Sequence, residues 1–233
     1  MKRKQIVLTT IAVLLLASCQ NQEVSVDTDT RNQIVASIDN PASRTVVDDE
    51  TGAESGAIGV MWTNGDKIGV FDYSANAQMQ YDKVVSGTAK TSNFRVASGT
   101  AFTNPLYAYY PYESNNNNKD VDHLTGTVLT TQSMDDVGTL QSDYKIGYVK
   151  SSSDNGHYFE FRHLFSLARF TVNASSTPLA GKSIRSLKIS AKRGTNDVAI
   201  AGAFNFSAKS GEWQQSGTGS NSITLTWSNG KAL

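Results

Sequence analysis

The chain of 233 residues carries 21 Lys and Arg against 21 Asp and Glu, so its formal net charge at neutral pH is zero. No global field draws it to nucleic acid or to an anionic surface, and no basic tract substitutes for one. A single cysteine excludes an internal disulfide framework, while the length suffices for one or two domains with a core of their own.

Lys2, Arg3 and Lys4 open the chain, Ile6 to Ala17 form an apolar run, and Leu16-Ala17-Ser18 precede Cys19. A cationic start, a short apolar core and small residues before a cleavage point are the order of a secretion signal. The run falls short of the ~20 residues that a spanning helix needs, so residues 1–18 read as a leader removed on export. Leu16-Ala17-Ser18-Cys19 resembles the lipobox of bacterial lipoproteins, and the resemblance makes Cys19 the lipidated residue. From Gln20 to Arg31 the chain holds Glu23, Asp27 and Asp29, two valines and no aromatic. That is too little apolar surface to offset ordering, so residues 19–31 read as a flexible tether.

Beyond the tether the apolar period becomes two. Ile34, Ala36 and Ile38 share one face of a first strand, and Asp39-Asn40-Pro41 ends it. Arg44 follows Pro41-Ala42-Ser43 and precedes a long polar connection to the next strand near Ile58, which places it in an exposed loop open to proteases. It is either a cleavage point or an ordinary surface arginine. Asp48-Asp49-Glu50, like Asp135-Asp136 further on, reads as a solvated turn and matches no calcium-loop spacing. Trp62 stands before Asn64-Gly65, a hairpin turn from which Ile68 and Val70 lead a return strand into the core.

Tyr107, Tyr109, Tyr110 and Tyr112 raise the question of a sugar platform. Strand alternation puts the first two and the last two on opposite faces, which favours packing. Asn115 to Asn118 reads as an exposed loop that adds nothing to a core. Residues 157–172 are the most apolar stretch, and the parity changes from Phe159/Phe161 to Phe170/Val172, implying a bulge or a strand buried on both faces. His163 within it reads as a satisfied core histidine. Leu187, Ile189 and Ala191 alternate with polar residues; Val198, Ile200, Gly202, Phe204 and Phe206 share one parity; Ile223, Leu225 and Trp227 close the pattern.

Many short strands with frequent turns and little helix make the fold all-β, a sandwich or a barrel. Three histidines without a paired metal spacing, and no HExxH, nucleophile elbow or phosphate loop, imply neither catalysis, metal nor cofactor.

Trp62-Thr63-Asn64-Gly65-Asp66-Lys67-Ile68-Gly69-Val70-Phe71, then Tyr107 to Tyr112, then Ser142-Asp143-Tyr144, then Phe161 to Phe170 occur in an order that resembles the fimbrillin-like lipoproteins of Bacteroidales. The resemblance spans residues 1 to about 175. It implies a subunit of the type V pilus, built from transthyretin-like (Ig-like Greek-key) β-sandwiches, assembled with other pilus subunits at the outer membrane and placed on the cell surface as a fimbrium. On that footing residues 32–177 form an N-terminal sandwich, and 178–233 either complete it or begin a second, incomplete one. The resemblance further implies that an arginine-specific protease cuts between the first two strands, here between Arg44 and Thr45, and that the strand with Ile34, Ala36 and Ile38 is then displaced. A neighbour's strand takes its place. Arg31 competes as a cleavage point, but a cut there leaves the first strand attached. The partners implied are other subunits, outer-membrane lipid through Cys19, and a host protein or glycan. The alternative function is a monomeric, lipid-anchored carbohydrate-binding protein, with an enzyme ranked third.

Overall fold

The computed structural model describes residues 33–39, 60–73, 77–135, 141–153, 156–168, 170, 172, 179 and 181–232. Alternating sequence becomes strand: β1 (Ile34–Ile38), β2 (Lys67–Asp72), β3 (Met79–Lys83), β4 (Thr91–Val96) and β5 (Pro105–Tyr110) come first. After a 3-10 turn at Ser114–Asn116 follow β6 (Leu124–Val128), β7 (Thr131–Ser133), β8 (Lys145–Ser153) and β9 (Gly156–His163). β10 (Ser183–Ser190), β11 (Lys192–Arg193), β12 (Asn196–Asp197), β13 (Gly202–Phe206), β14 (Trp213–Gln215) and β15 (Ser222–Ala232) complete the order. The chain is all-β, as its period of two predicts, and among the described residues the 3-10 turn is the only helical element.

Seven strands form one sheet in the order β1-β4-β3-β2-β5-β8-β9, and β1 pairs with β9 as well as with β4, so the sheet closes on itself as a barrel does. Most of its ladders are antiparallel; the one between β1 and β9 is parallel and joins the first and last strands of the sheet. Beside it stand the sheets β14-β13-β6 and β10-β15-β7 and the pair β11-β12.

Alternation sorts the side chains into two cores. Ile34, Ala36 and Ile38 pack with Trp62, Ile68, Val70, Tyr81, Phe94, Ala108, Phe159 and Phe161 inside the closed sheet. On the outer face of β2, β5 and β8, Phe71, Tyr109 and Ile146 meet Leu124, Phe204 and Phe206 of β6 and β13. β5 is therefore covered on both faces, Ala108 and Tyr110 against the first core and Tyr107 and Tyr109 against the second. Gly69 stands opposite Tyr109 in the ladder, and the phenol ring occupies the place a Cβ would take. Only glycine lets the ring cross that strand so closely.

Three expectations need correction. The asparagine run is not wholly an exposed loop: Asn115 and Asn118 face solvent, but Asn116 is fully buried, held by bonds to Thr125 and Tyr109. The parity that runs from Val198 to Phe206 is strand only from Gly202, because residues 192–197 fold into the β11–β12 pair and Gly202 turns the backbone at φ +123°. The parity change after Phe161 is not a bulge in β9. That strand stops at His163, Phe170 and Val172 lie beyond it half exposed, and the register shift sits in β8 between Val149 and Ser151.

Candidate functional site

The strand singled out by Ile34, Ala36 and Ile38 lies between two neighbours. Against β4 it runs antiparallel, with Ile34 opposite Phe94 and Ala36 opposite Ser92; against β9 it runs parallel, with Ala36 beside Phe159 and Ile38 beside Phe161. The His157 N–H donates to the Gln33 carbonyl at 3.0 Å, the Ile38 N–H to Lys90 at 3.0 Å and the Asp39 N–H to Phe161 at 2.7 Å. Ile34 and Ala36 have no exposed surface, and Ile38 keeps 4%. β4 and β9 meet only through β1. Without it their edges would face each other across about two strand spacings, ~10 Å.

The floor of this position is aromatic. The Trp62 indole N–H donates to the Ala36 carbonyl at 2.9 Å, and the ring is met edge-on by Phe94 at 5.1 Å, Tyr110 at 5.4 Å and Phe161 at 5.1 Å between centroids. Such edge-to-face pairs hold a ring in one orientation. The turn at Asn64-Gly65 does not close the expected hairpin, since Trp62 bridges Ala89 while β2 pairs with β3 and β5, and the indole is left to bond the first strand.

Behind Trp62 lies a buried ionic group. The Lys145 ammonium sits 4.3 Å from the Tyr110 centroid and 5.5 Å from that of Trp62, and pairs with Asp143 at 2.5 Å. His163 Nδ1 donates to the other oxygen of Asp143 at 2.7 Å. Burial raises the Asp143 carboxyl, but the His163 bond and the Lys145 charge outweigh it and hold the group below the usual carboxylate range. Burial pulls Lys145 below the usual lysine range, against the opposing attraction of Asp143. The Tyr110 hydroxyl donates to Asp66 at 3.0 Å, and burial beside that carboxylate drives the phenol far up. His163 is indeed a satisfied histidine. Sequence reasoning does not reach the group around it, because His163 and Tyr110 are remote from Asp143 and Lys145 in the chain; a lysine on the inward parity of β8 is the available signal.

Other predicted residues fall as follows. Cys19, Arg31, Arg44, Thr45 and Asp48-Asp49-Glu50 lie outside the described residues, as do the leader and tether. Asp135 accepts the Ser228 N–H at 2.7 Å and so serves the backbone of β15. The tyrosines form no platform: Tyr109 is fully buried and its hydroxyl, pushed up to about 12 by burial, donates to Gln78 at 2.6 Å, while Tyr110 turns inward. No group of three or more His, Cys, Asp or Glu able to hold a metal occurs among the described residues. A cavity of about 380 Å³ lies between β13 and the β10–β15–β7 sheet, lined by Tyr144, Phe165, Phe204, Ile189, Ile223 and Leu225 among others.

β1 thus lies between two strands over an apolar floor, with the Asp143, Lys145 and His163 group behind it. A family model described as fimbrillin-like matches residues 44–232. No curated protein and no solved structure matches. The matched span opens at Arg44 and so leaves β1 outside it. This is a structural pilus family, not an enzymatic one, and it implies assembly with other pilus subunits in a cell-surface fimbrium. Because the match spans well over half of the chain, the protein belongs to the fimbrillin-like family.

Proposed function

We propose that the protein is exported as a lipoprotein anchored to the outer membrane through Cys19, cut between Arg44 and Thr45, and joined to a neighbouring pilus subunit by a strand that replaces β1, in a fimbrium that contributes to adhesion. The observation that carries this reading is the place of β1 as the sole link between β4 and β9. Its loss would strip ladder partners from two strands at once and empty the positions of Ile34, Ala36 and Ile38. Burying each isoleucine is worth about 1.5–3 kcal/mol, so a vacant slot is strongly receptive to another strand.

Arg44 lies between β1 and the segment carrying Trp62, so a cut there severs β1 from a body that keeps every later strand. The same cut parts the body from Cys19, coupling release from the lipid to activation. A cut at Arg31 would only trim the tether. The closed sheet, with β6-β13-β14 packed across its outer face, is taken as the transthyretin-like sandwich of the family. Residues 178–233 are taken as part of that body, since β13 pairs with β6, β15 pairs with β7, and Phe204 and Phe206 enter the second core.

The test treats purified lipid-free protein with an arginine-specific protease under native conditions. A new N-terminus at Thr45, lost in Arg44→Gln, and subunit ladders that survive mild denaturation are expected. If Thr45 never appears, activation by cleavage fails for this subunit.

A further inference from the structure

We infer that the β1 slot selects its occupant by size at the central inward position, admitting a strand of another polypeptide that reads large apolar, small, large apolar at alternate residues. This rests on the reading of β1 as the displaced strand. The inward residues of β1 are Ile34, Ala36 and Ile38, and the smallest of them is as completely buried as its larger neighbour Ile34. Trp62 packs in the same core as Ala36, its indole nitrogen 2.9 Å from the Ala36 carbonyl. That ring is hemmed by Phe94, Tyr110 and Phe161 and has the Lys145 ammonium 5.5 Å from its centroid, so it has nowhere to retreat. A leucine or tryptophan at the centre would have to displace it. The flanks ask for the opposite. Ile34 stands opposite Phe94 and Ile38 beside Phe161, and a small residue at either would leave a void.

An occupant in the orientation of β1 runs parallel to β9 and antiparallel to β4. Strands β10, β13 and β15 of this chain do not fit. β15 reads Ile223, Leu225, Trp227 on its apolar parity, β13 reads Gly202, Phe204, Phe206, and β10 continues as Leu187, Ile189, Ala191, each with a large central residue. β15 is moreover engaged on both sides, by β10 and β7. In this chain β5 (Leu106, Ala108, Tyr110) and β6 (Leu124, Gly126, Val128) carry the same size order, but both are held in ladders and cores of their own body, so a strand of that order free to enter the slot comes from a different subunit.

The test uses full-length protein cut after Arg44, or at a protease site inserted there if the native bond resists, so that the body begins at or near Thr45. Labelled synthetic peptides are added: one spanning Gln33–Asp39, the same with Ala36→Gly, the same with Ala36→Leu, and one spanning Ser222–Asn229 from β15. Label that co-elutes with the body on size exclusion is measured against peptide concentration. The Ala- and Gly-centred peptides are expected to exchange in, and the Leu-centred and β15 peptides to bind about ten- to hundredfold more weakly. Uptake of the Leu-centred or β15 peptide equal to that of the Ala-centred one overturns the size selection while leaving strand exchange standing. Uptake of none of the four by the cut body overturns the displaced-strand reading, and this one with it.

Discussion

Asn116 grips Thr125 from both ends of its amide: its Nδ2 donates to the Thr125 carbonyl at 3.0 Å, and its Oδ1 accepts the Thr125 backbone N–H at 3.0 Å and hydroxyl at 3.1 Å. The same Nδ2 reaches the Tyr109 hydroxyl at 3.2 Å, so one asparagine ties the 3-10 turn to β5 and β6. Asn116→Ala takes the side-chain partner from the Thr125 backbone N–H and carbonyl, while the Tyr109 hydroxyl keeps Gln78 and the Thr125 hydroxyl keeps Lys119, and is expected to lower stability by about 2–3 kcal/mol in urea unfolding. Asn115→Ala and Asn118→Ala, at exposed positions of the same run, should change it by less than about 0.5 kcal/mol.

Gly69→Ala drives a methyl group into the Tyr109 ring and the Gln78 amide. Overpacking of this kind costs about 1–3 kcal/mol. Because the cost comes from the Tyr109 ring and from the Gln78 amide that its hydroxyl holds in place, a double-mutant cycle with Tyr109→Ala should be non-additive, the alanine at 69 costing far less where the ring is gone. Additive losses would show that the clash is not its source.

The buried carboxylate predicts a pH dependence of definite sign. Asp143 is held below its unfolded value of about 3.9, so the stability it contributes is present above that value and is lost as pH falls through the lower folded one. Chemical-denaturation midpoints of the wild type should therefore drop below about pH 4. Asp143→Asn should be less stable at neutral pH by about 3 kcal/mol, since it leaves Lys145 buried without its counter-charge, and should show a smaller drop in acid. Equal acid sensitivity in the two proteins would place the titrating groups elsewhere.

Trp62→Phe keeps an aromatic ring but removes the donor to the Ala36 carbonyl. A loss of about 1 kcal/mol is expected, concentrated on β1. Hydrogen exchange at the Ile38 amide, which is bonded to Lys90, should accelerate more than exchange in β13. Uniform acceleration across the chain would show that the bond does not serve β1 in particular.

The strand character of this protein was legible in its residues because alternation is a local record of which side chains leave water. Ile34, Ala36 and Ile38 show it plainly, and so does the opposition of Tyr109 to Tyr110. The family was legible for a similar reason: its motifs are short, contiguous and ordered along the chain. What no local pattern carries is pairing between distant segments. That β1 lies parallel to β9, more than a hundred residues away, and closes the sheet against β4 follows from how the two ends of one sheet meet. Polar burial is likewise a property of partners rather than of residue type. Asn116, Asp143 and Lys145 look like surface residues in the chain and become interior ones only because Thr125, His163 and Tyr110 are brought to them by the fold. The sequence by itself settled the all-β class and the buried face of β1 through the local chemistry of alternation; tertiary structure alone decided which strand closes the slot and what lies beneath it, because those contacts join segments remote in the chain.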